Sequence, residues 1–534
     1  MVKGFGKKFD LTFIGGGISC TKTLIHLLEG LADKGPRGSL SVLVIEKTSN
    51  IWTGIAYGSR SSNKALTITT LGEFLHPLEK KDFLEWVLAR KEDIIMEMLS
   101  SKVQGEEWVK DNEKYMNAQD LEHVYFPRFL YGRFLKEKLN THLENEGIKS
   151  TLNLQVIQSE VVNIYKINNY YSLNLKNPAG QIQNIDSEKI IFSMGHIERK
   201  MVPTNFTGKP FGYFPDPYFP TMDQNLCLIP EKVVKTYSKP KNILLIGSNA
   251  SALELLYLLN QDIDIIQETD KIFLLSASGE VPAPIEENHT IKFPFPALQK
   301  LMQLERVLAE DLIKAIRLDF QNFKNLGLNL GGIYYPLSEK VISVLQKLDI
   351  DQRKIFHDVY GMEFTRLIRR AGPDYSRTIS SLKKKKKLEI EKGNLVLLEN
   401  REDQYGNHFE MIYEKEGVQM KHPQSFRFVF NCTGFRSLNE SENPLIRNII
   451  QKDICRLNGS LRGFEVNDQL EGNQNLHILG PLLGSLFIPS YQYWHVENSK
   501  RIHELSLKLS TILLEWIEEK SREERSMEEL ELNS

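Results

Sequence analysis

Leu11-Thr-Phe-Ile-Gly15-Gly-Gly17-Ile-Ser-Cys20 is the stretch on which the fold turns. Leu11 to Ile14 are short, apolar and β-prone, and they end on a glycine cluster. The residues after it, Ile18 to Gly30, carry apolar side chains at roughly helical spacing. A second apolar run, Leu40 to Ile45, closes on Glu46. Strand, glycine turn, helix, strand and acid in that order form the front half of a dinucleotide-binding βαβ unit. Gly15 permits the tight turn, and Gly16 continues it. Gly17 lets the backbone approach a pyrophosphate with no Cβ in the way, and Cys20 is small enough for helix–strand packing in the third slot. The N–H groups and dipole at the helix start, around Ile18 and Ser19, then bind phosphates. Glu46 is placed to accept hydrogen bonds from both hydroxyls of a ribose.

The same layout recurs near residue 241. Asn242 to Ile246 is a strand, Gly247-Ser-Asn-Ala250 a turn, Ser251 to Leu259 a helix, and Lys271 to Leu275 the next strand. Each copy also closes alike, on Ser193-Met-Gly195-His196 and on Asn431-Cys-Thr-Gly434. Gly15 to Gly195 is 180 residues and Gly247 to Gly434 is 187, so two similar nucleotide units in tandem are the simplest account. The likeness lies in layout, not in residue identity. The second turn is a poorer fit. Asn249 takes the place of the second glycine, where its side chain crowds a pyrophosphate, and Ala252 fills the third slot. The next strand ends Leu275-Ser-Ala-Ser-Gly279, with no arginine for a 2′-phosphate. A nicotinamide nucleotide site and a purely structural Rossmann unit both fit that pattern.

The expected organisation is α/β: two Rossmann-like dinucleotide-binding domains, the second carrying a helical insertion. The first spans 1–237 and is completed by 436–515. The second spans 238–435 with the insertion at about 282–374, and 516–534 is a charged tail of frayed helix or disorder. The stretch Met201 to Pro240 holds seven prolines and is expected to be a crossing linker without a long helix. Lys383 to Lys387 is expected to be a solvated turn or strand approach.

Composition bounds the function. The 534 residues are 41% apolar and 25% charged, which excludes disordered and fibrous classes. Lys plus Arg (67) nearly balance Asp plus Glu (69), so there is no electrostatic case for nucleic acid or a charged membrane surface. No run of 18 apolar residues marks a membrane span, and the apolar start of the chain runs into the glycine turn instead of a cleavage site. The mature protein is therefore expected to begin at or near Met1. Four cysteines (Cys20, Cys227, Cys432, Cys455) lack disulfide, metal-ligand or dithiol spacing, so no metal is expected and a cytoplasmic location fits.

Ile14-Gly-Gly-Gly-Ile-Ser19, Thr53-Gly-Ile-Ala-Tyr-Gly58, Tyr125-Phe-Pro-Arg-Phe-Leu-Tyr-Gly-Arg133, Ser193-Met-Gly-His196, Arg369-Arg-Ala-Gly-Pro-Asp-Tyr375 and Asn431-Cys-Thr-Gly434 together resemble the FAD-NAD(P)-binding flavoproteins. These are relatives of the lysine/ornithine N-hydroxylating monooxygenases and of the wider two-dinucleotide-domain oxidoreductases. The resemblance, over residues 10 to 510, implies FAD on Gly15 to Cys20 with its ribose at Glu46. It implies that Gly54 to Gly58, including Tyr57, passes near the flavin, with Arg128 or Arg133 beside the cofactor. Gly195 and Gly434 mark strand ends where the chain crosses between domains. Leu479-Gly480-Pro481 resembles the family's last flavin-contacting turn, and a helix starting near Ser490 would aim its N-terminus at the flavin. The departures are Asn63 to Ile68 after the Tyr57 loop, Asn249, and the missing arginine around Ser276 to Ser278.

The function so implied is an FAD-dependent oxidoreductase using NADPH or NADH, of monooxygenase kind, acting on a small-molecule substrate. Two alternatives stand beside it: a flavin dehydrogenase or reductase without oxygenation, and a non-catalytic flavin-binding protein with a degenerate second site. No acid–base constellation or GxSxG elbow is visible. His196 reads as a strand-end polar residue or as a cofactor neighbour. Cys20 and Cys432 read as packing residues. Tyr491, Tyr493, Trp494 and His495 read as a pocket wall or as core, and His289 has no nameable partner.

Overall fold

The computed structural model describes residues 8–34, 39–100, 103–236, 241–285, 292–328, 330–404 and 406–532. Strand β1 (Lys8–Ile14), helix α1 (Ile18–Lys34) and strand β2 (Leu40–Glu46) form as their sequence pattern expects. The inner residues of both strands are buried, as in a parallel strand covered on both faces. β1 pairs in parallel with β2 on one side and with Ile182–Phe192 on the other, so Ile14 faces Ile45 and Phe192. The sheet continues through Leu152–Gln158 beside β2 and through Leu476–Ile478, which joins it from the far end of the chain. The hairpin Glu160–Ile167/Tyr170–Lys176 extends Ile182–Phe192 in antiparallel fashion.

The second sheet is parallel throughout, in the order Leu388–Lys392, Ile272–Ser276, Ile243–Ile246, Phe428–Asn431, Tyr213–Phe214. Beside it lies a three-stranded antiparallel sheet, Asn394–Asp403, Gly406–Lys415 and Val418–Lys421. The fold is thus α/β with two Rossmann-like units, and the helical insertion falls within the second. Its helices, Pro296–Met302, Ala309–Asn325, Leu330–Leu345, Ile350–Ile355 and Gly361–Leu367, enclose a core of their own around Ile313, Leu337, Phe356 and Phe364.

Three elements differ from expectation. The proline-rich crossing contains a helix, Met222–Thr236. Five of the seven prolines precede it and Pro230 alone falls inside, while Met222, Asn225 and Ile229 are buried along one face. Burial of that face outweighs the roughly 3 kcal/mol cost of an interior proline. The last helix begins at Ser499, not near Ser490, because Leu486–Phe487 and Gln492–Tyr493 first form a short hairpin. It then runs unbroken through the expected tail to Leu532. Ile502, Leu505, Leu509, Leu513 and Ile517 bury at three- and four-residue spacing, and Gly30 of α1 leaves room for Leu514. Lys383 to Lys386 are exposed at the end of helix Pro373–Lys384 and in the turn after it. Among the described residues no helix is long and apolar enough to cross a membrane. His289 and Pro240 lie outside the described residues.

Candidate functional site

The first glycine turn has the shape a dinucleotide needs. Gly15 holds φ +99°, and a Cβ there would press on Met194 Cα and stand 2.6 Å from the Ser193 carbonyl oxygen. Gly17 is different: a Cβ would meet only Gly54, at 3.6 Å from its Cα, so the space above the turn is bounded by backbone. The segment after β2 is fastened over the start of α1. Trp52 N–H donates to the Gly16 carbonyl (2.6 Å), and the Thr21 hydroxyl donates to the Trp52 carbonyl (2.7 Å). The first N–H groups of α1, from Ile18 and Ser19, have no acceptor within the helix, as at any helix start. Glu46 ends β2 with its carboxylate oriented by Gly16 N–H (2.9 Å) and by the N–H and hydroxyl of Thr48 (both 2.9 Å). Each carboxylate oxygen retains lone-pair capacity for a ribose hydroxyl. Gly480 holds φ +71° directly over Ser19, where a Cβ would stand 2.9 Å from its hydroxyl. Leu479 N–H ties that turn to the Phe192 carbonyl (2.8 Å). The residues present therefore fit FAD, with the pyrophosphate at α1 and the adenosine ribose at Glu46.

Cys20 is fully buried in the third slot, and burial raises its thiol pKa well above the ordinary value. Tyr57 is half-buried against Phe74 and Tyr131, and its carbonyl oxygen packs on Gly132. The two arginines the resemblance sets beside the cofactor are both held by carboxylates. Arg133 forms a two-pronged pair with Glu97 (2.8 Å each). Arg128 pairs with buried Glu254 of helix Ala250–Gln261 and donates to the Ser61 hydroxyl (2.8 Å). Glu254 also accepts from Ser61 (2.8 Å) and Tyr218 (2.9 Å). Arg128 is thus a clamp between the two Rossmann units.

The second turn repeats the first. Gly247 holds φ +110°, and a Cβ would stand 2.6 Å from the Cys432 carbonyl oxygen, just as Gly15 meets Ser193. Burial pushes the Cys432 thiol up to about 12, which suits packing. Asn249 is the N-cap of helix Ala250–Gln261, with ordinary extended backbone (φ −94°), so the left-handed tolerance of asparagine is not called upon. Its side chain makes no capping bond. Ala252 is fully buried, as the third slot requires.

The chain crosses between the units at Gly195 and Gly434, and a Cβ at either would meet nothing. The crossings are zipped together: Arg199 bridges Phe435, Lys200 N–H donates to the Gly434 carbonyl (3.0 Å), and the His196 ring stacks on Phe435 at 3.8 Å. Beside them opens a cleft of about 1590 Å³. One wall is the Gly247 turn and Ser276–Gly279; another is the insertion, with Phe323, Thr365, Arg366 and Arg369. His196, Arg462, His495 and Glu497 complete it. A small hollow lined by His196, Phe435 and Pro481, the residue after Gly480, adjoins the cleft.

His196 belongs to this site, 3.6 Å from Glu497, and burial pushes it down to about 4. His495 lies in the cleft wall, whereas Trp494 is packed among Phe356, His357 and Phe364 of the insertion. Arg366, Arg462 and Glu497 lie outside every motif, because they meet only once the insertion and the C-terminal segment fold against each other.

The buried histidines make stability depend on pH. Burial pushes His196, His357, His477 and His495 each from 6.5 to about 4. Between those values the unfolded chain binds protons that the folded chain refuses, so this stability is complete above pH 6.5 and is lost as pH falls toward 4. The thermal midpoint should decline over that window. A flat profile would contradict neutral burial of these rings.

Comparison with known proteins agrees with this geometry. Residues 12–197 match the profile of the FAD-NAD(P)-binding family. Uncharacterized proteins from Mycobacterium tuberculosis and Mycobacterium bovis are each 30% identical over 511 residues, covering 95% of both chains. Among solved structures, the FAD-bound cadaverine monooxygenase of desferrioxamine biosynthesis from Erwinia amylovora shares the fold at TM-score 0.53 and 12% identity, covering 96% of this chain and 95% of that one. An ornithine N-hydroxylase from Kutzneria sp. 744 does so at TM-score 0.52 and 10% identity, covering 96% and 99%.

Proposed function

Since residues 12–197 match the FAD-NAD(P)-binding family, we propose that the chain is an NAD(P)H-linked flavin oxidoreductase of monooxygenase kind, acting on a small molecule. The observation that carries the reading is the shared cleft. It runs from the Gly247 turn, past the zipped crossings, to residues it shares with the hollow at Pro481, and on this reading a nicotinamide nucleotide meets the reactive end of FAD there. Bound FAD supplies hydride acceptance and onward transfer of the electrons. The chain positions and encloses. Gly480 sets the turn over Ser19, the insertion roofs the cleft, and neutral His196 stacked on Phe435 offers a hydrogen-bonding ring without charge.

Two observations favour oxygen chemistry over reduction of a disulfide. The two solved structures named above are of a cadaverine monooxygenase and an ornithine N-hydroxylase. No two of the four cysteines have CxxC spacing and three are buried, which speaks against a dithiol of this chain carrying electrons onward. A second reading, a flavin-binding protein without turnover, is favoured by Asn249 in the glycine slot and by the lack of an arginine at Ser276 to Ser278.

The test is NAD(P)H consumption and O2 uptake by FAD-loaded wild type and Asn249→Gly. The proposal expects wild type to consume both, with Asn249→Gly changing turnover by less than about tenfold, or 1.4 kcal/mol. An inert wild type that Asn249→Gly awakens would make the natural site a decayed one.

A further inference from the structure

The cations around the cleft divide into two kinds. Some are neutralised: Arg199 by Asp216 (3.0 Å), Arg370 by Glu73 (3.5 Å), Arg436 by Glu442 (2.9 Å) and Lys324 by Glu280 (2.6 Å). Lys200 and Lys383 form no ion pair among the described residues, and Arg366 and Arg369 likewise stand without one. Among the described residues neither arginine has a carboxylate within ion-pair distance or a side-chain hydrogen bond. Glu363, one turn before Arg366, is taken by a two-pronged pair with Arg317 (2.6 and 2.7 Å). Glu497 lies 3.6 Å from His196 and 3.9 Å from Arg462. Three arginines therefore face one glutamate, next to the hollow at Pro481.

These side chains sense one another. Burial lowers the basicity of Arg369; Glu497 opposes that, while Arg366 and Arg462 reinforce it. Arg462 is lowered in the same way, by burial first and then by Arg366, against Glu497. Arg366 is exposed and Arg369 and Arg462 are half-buried, so an anion entering the cleft meets three guanidinium groups against one carboxylate.

The backbone that carries them is held firmly. Arg366 lies on Gly361–Leu367, and Arg369 immediately precedes the short strand Arg370–Ala371. Gly361 packs on Trp494, where a Cβ would stand 2.6 Å from the tryptophan Cβ. The Arg370 guanidinium lies 3.4 Å over the Tyr334 ring, and the Tyr335 hydroxyl bonds Glu73 of the first unit. The insertion thus presents Arg366 and Arg369 from a fixed frame. Guanidinium forks match carboxylate and phosphate oxygens in geometry as well as charge.

We propose that Arg366 and Arg369, with Arg462, form the substrate's anion subsite, and that the substrate is a small molecule carrying at least two negative charges as carboxylate or phosphate groups. This deepens the oxidoreductase reading and rests on it for the word substrate. A diamine would meet like charge here. On the oxidoreductase reading the nicotinamide nucleotide takes a different place, the Gly247 turn and the start of helix Ala250–Gln261. Lys200, on the Gly195 crossing and bonded to the Gly434 carbonyl, and Lys383, at the end of helix Pro373–Lys384, also line the cleft.

The experiment is calorimetric titration of the FAD-loaded protein, without nicotinamide nucleotide, using succinate, glycerol 3-phosphate and cadaverine at up to about 10 mM. Wild type should bind succinate or glycerol 3-phosphate and not cadaverine, and whichever binds identifies the charged group. Arg366→Gln/Arg369→Gln should weaken that binding by at least about tenfold, with FAD content and thermal midpoint unchanged. Arg369→Lys should fall between, since it keeps charge and loses the fork. NADP+ is titrated into the same variants. The proposal is overturned if neither dianion binds, if cadaverine binds as well as they do, if the double variant binds dianions like wild type, or if it loses NADP+ affinity as fully as dianion affinity. Reduction of FAD by NAD(P)H plays no part in these titrations, so failure here and failure of the oxidoreductase reading are separately visible.

Discussion

Gly15→Ala should leave a protein that does not fold to wild-type stability, whereas Gly17→Ala should fold and fail at the cofactor. At Gly15 the backbone sits at φ +99°, outside the region an L-residue adopts without strain, and the new Cβ would drive into the backbone of Ser193 and Met194. Those atoms belong to the end of a central strand, so they cannot swing aside as a side-chain tip does. Strain and overpacking together are expected to cost about 3–5 kcal/mol. At Gly17 no positive φ is required, and a Cβ would find Gly54 Cα at an ordinary 3.6 Å. The methyl stands instead where the pyrophosphate approaches the backbone, so FAD affinity should fall by at least about tenfold with the fold intact. Thermal unfolding and flavin content of the two variants, measured together, check the pair. If Gly17→Ala retained FAD like wild type, the first turn would not be the cofactor's seat.

The second large effect is expected at Glu254, whose side chain is only 3% exposed. It accepts from Ser61 and Tyr218 and pairs with Arg128. Burial acts to lower the basicity of Arg128, and the Glu254 carboxylate more than reverses that. Removing the carboxylate in Glu254→Ala strands a guanidinium between the two Rossmann units, at an expected cost of about 3–5 kcal/mol. Glu254→Ala/Arg128→Met should recover much of the loss, because it removes the uncompensated charge as well as the pair. Denaturant unfolding of the single and double variants measures the coupling. Additive losses would mean that Arg128 and Glu254 do not act as a clamp.

Why some of this was legible in the sequence and some was not follows from how far apart the determining residues lie. Both glycine turns could be read because their requirement is local: Gly15 and Gly247 each hold a positive φ between an apolar strand and a helix. The closing strands could be read for the same reason, and the structure shows what they close, since Ser193 and Cys432 supply the carbonyls that forbid a Cβ at the two glycines. The helix Met222–Thr236 was hidden because proline density over the whole segment masked one in which a single proline falls. The length of the last helix was hidden because its apolar stripe, Ile502 to Ile517, stops well before the helix does. Beyond the stripe its charged residues pair along the helix, as Arg522 does with Glu518 at 3.6 Å.

The cleft was the least legible part. Arg366, Arg462 and Glu497 come from segments scores of residues apart, and no local periodicity or motif links them. Arg128 stood in a motif that pointed to the cofactor, yet its partner Glu254 lies on an apolar helix of the other unit. A buried pair of that kind is visible only once both helices are in place. Reading His196 as a strand-end polar residue was correct for its backbone. It left out Phe435, whose ring reaches it from the other crossing.

Above all, FAD on the first turn is expected to be reduced by a nicotinamide nucleotide from the second, across the cleft between them. The visible absorption spectrum of the FAD-loaded protein, recorded anaerobically before and after NADPH and then NADH, tests this most directly. A flavin band that bleaches with at least one nucleotide is the expected result. A flavin band that persists with both would contradict it.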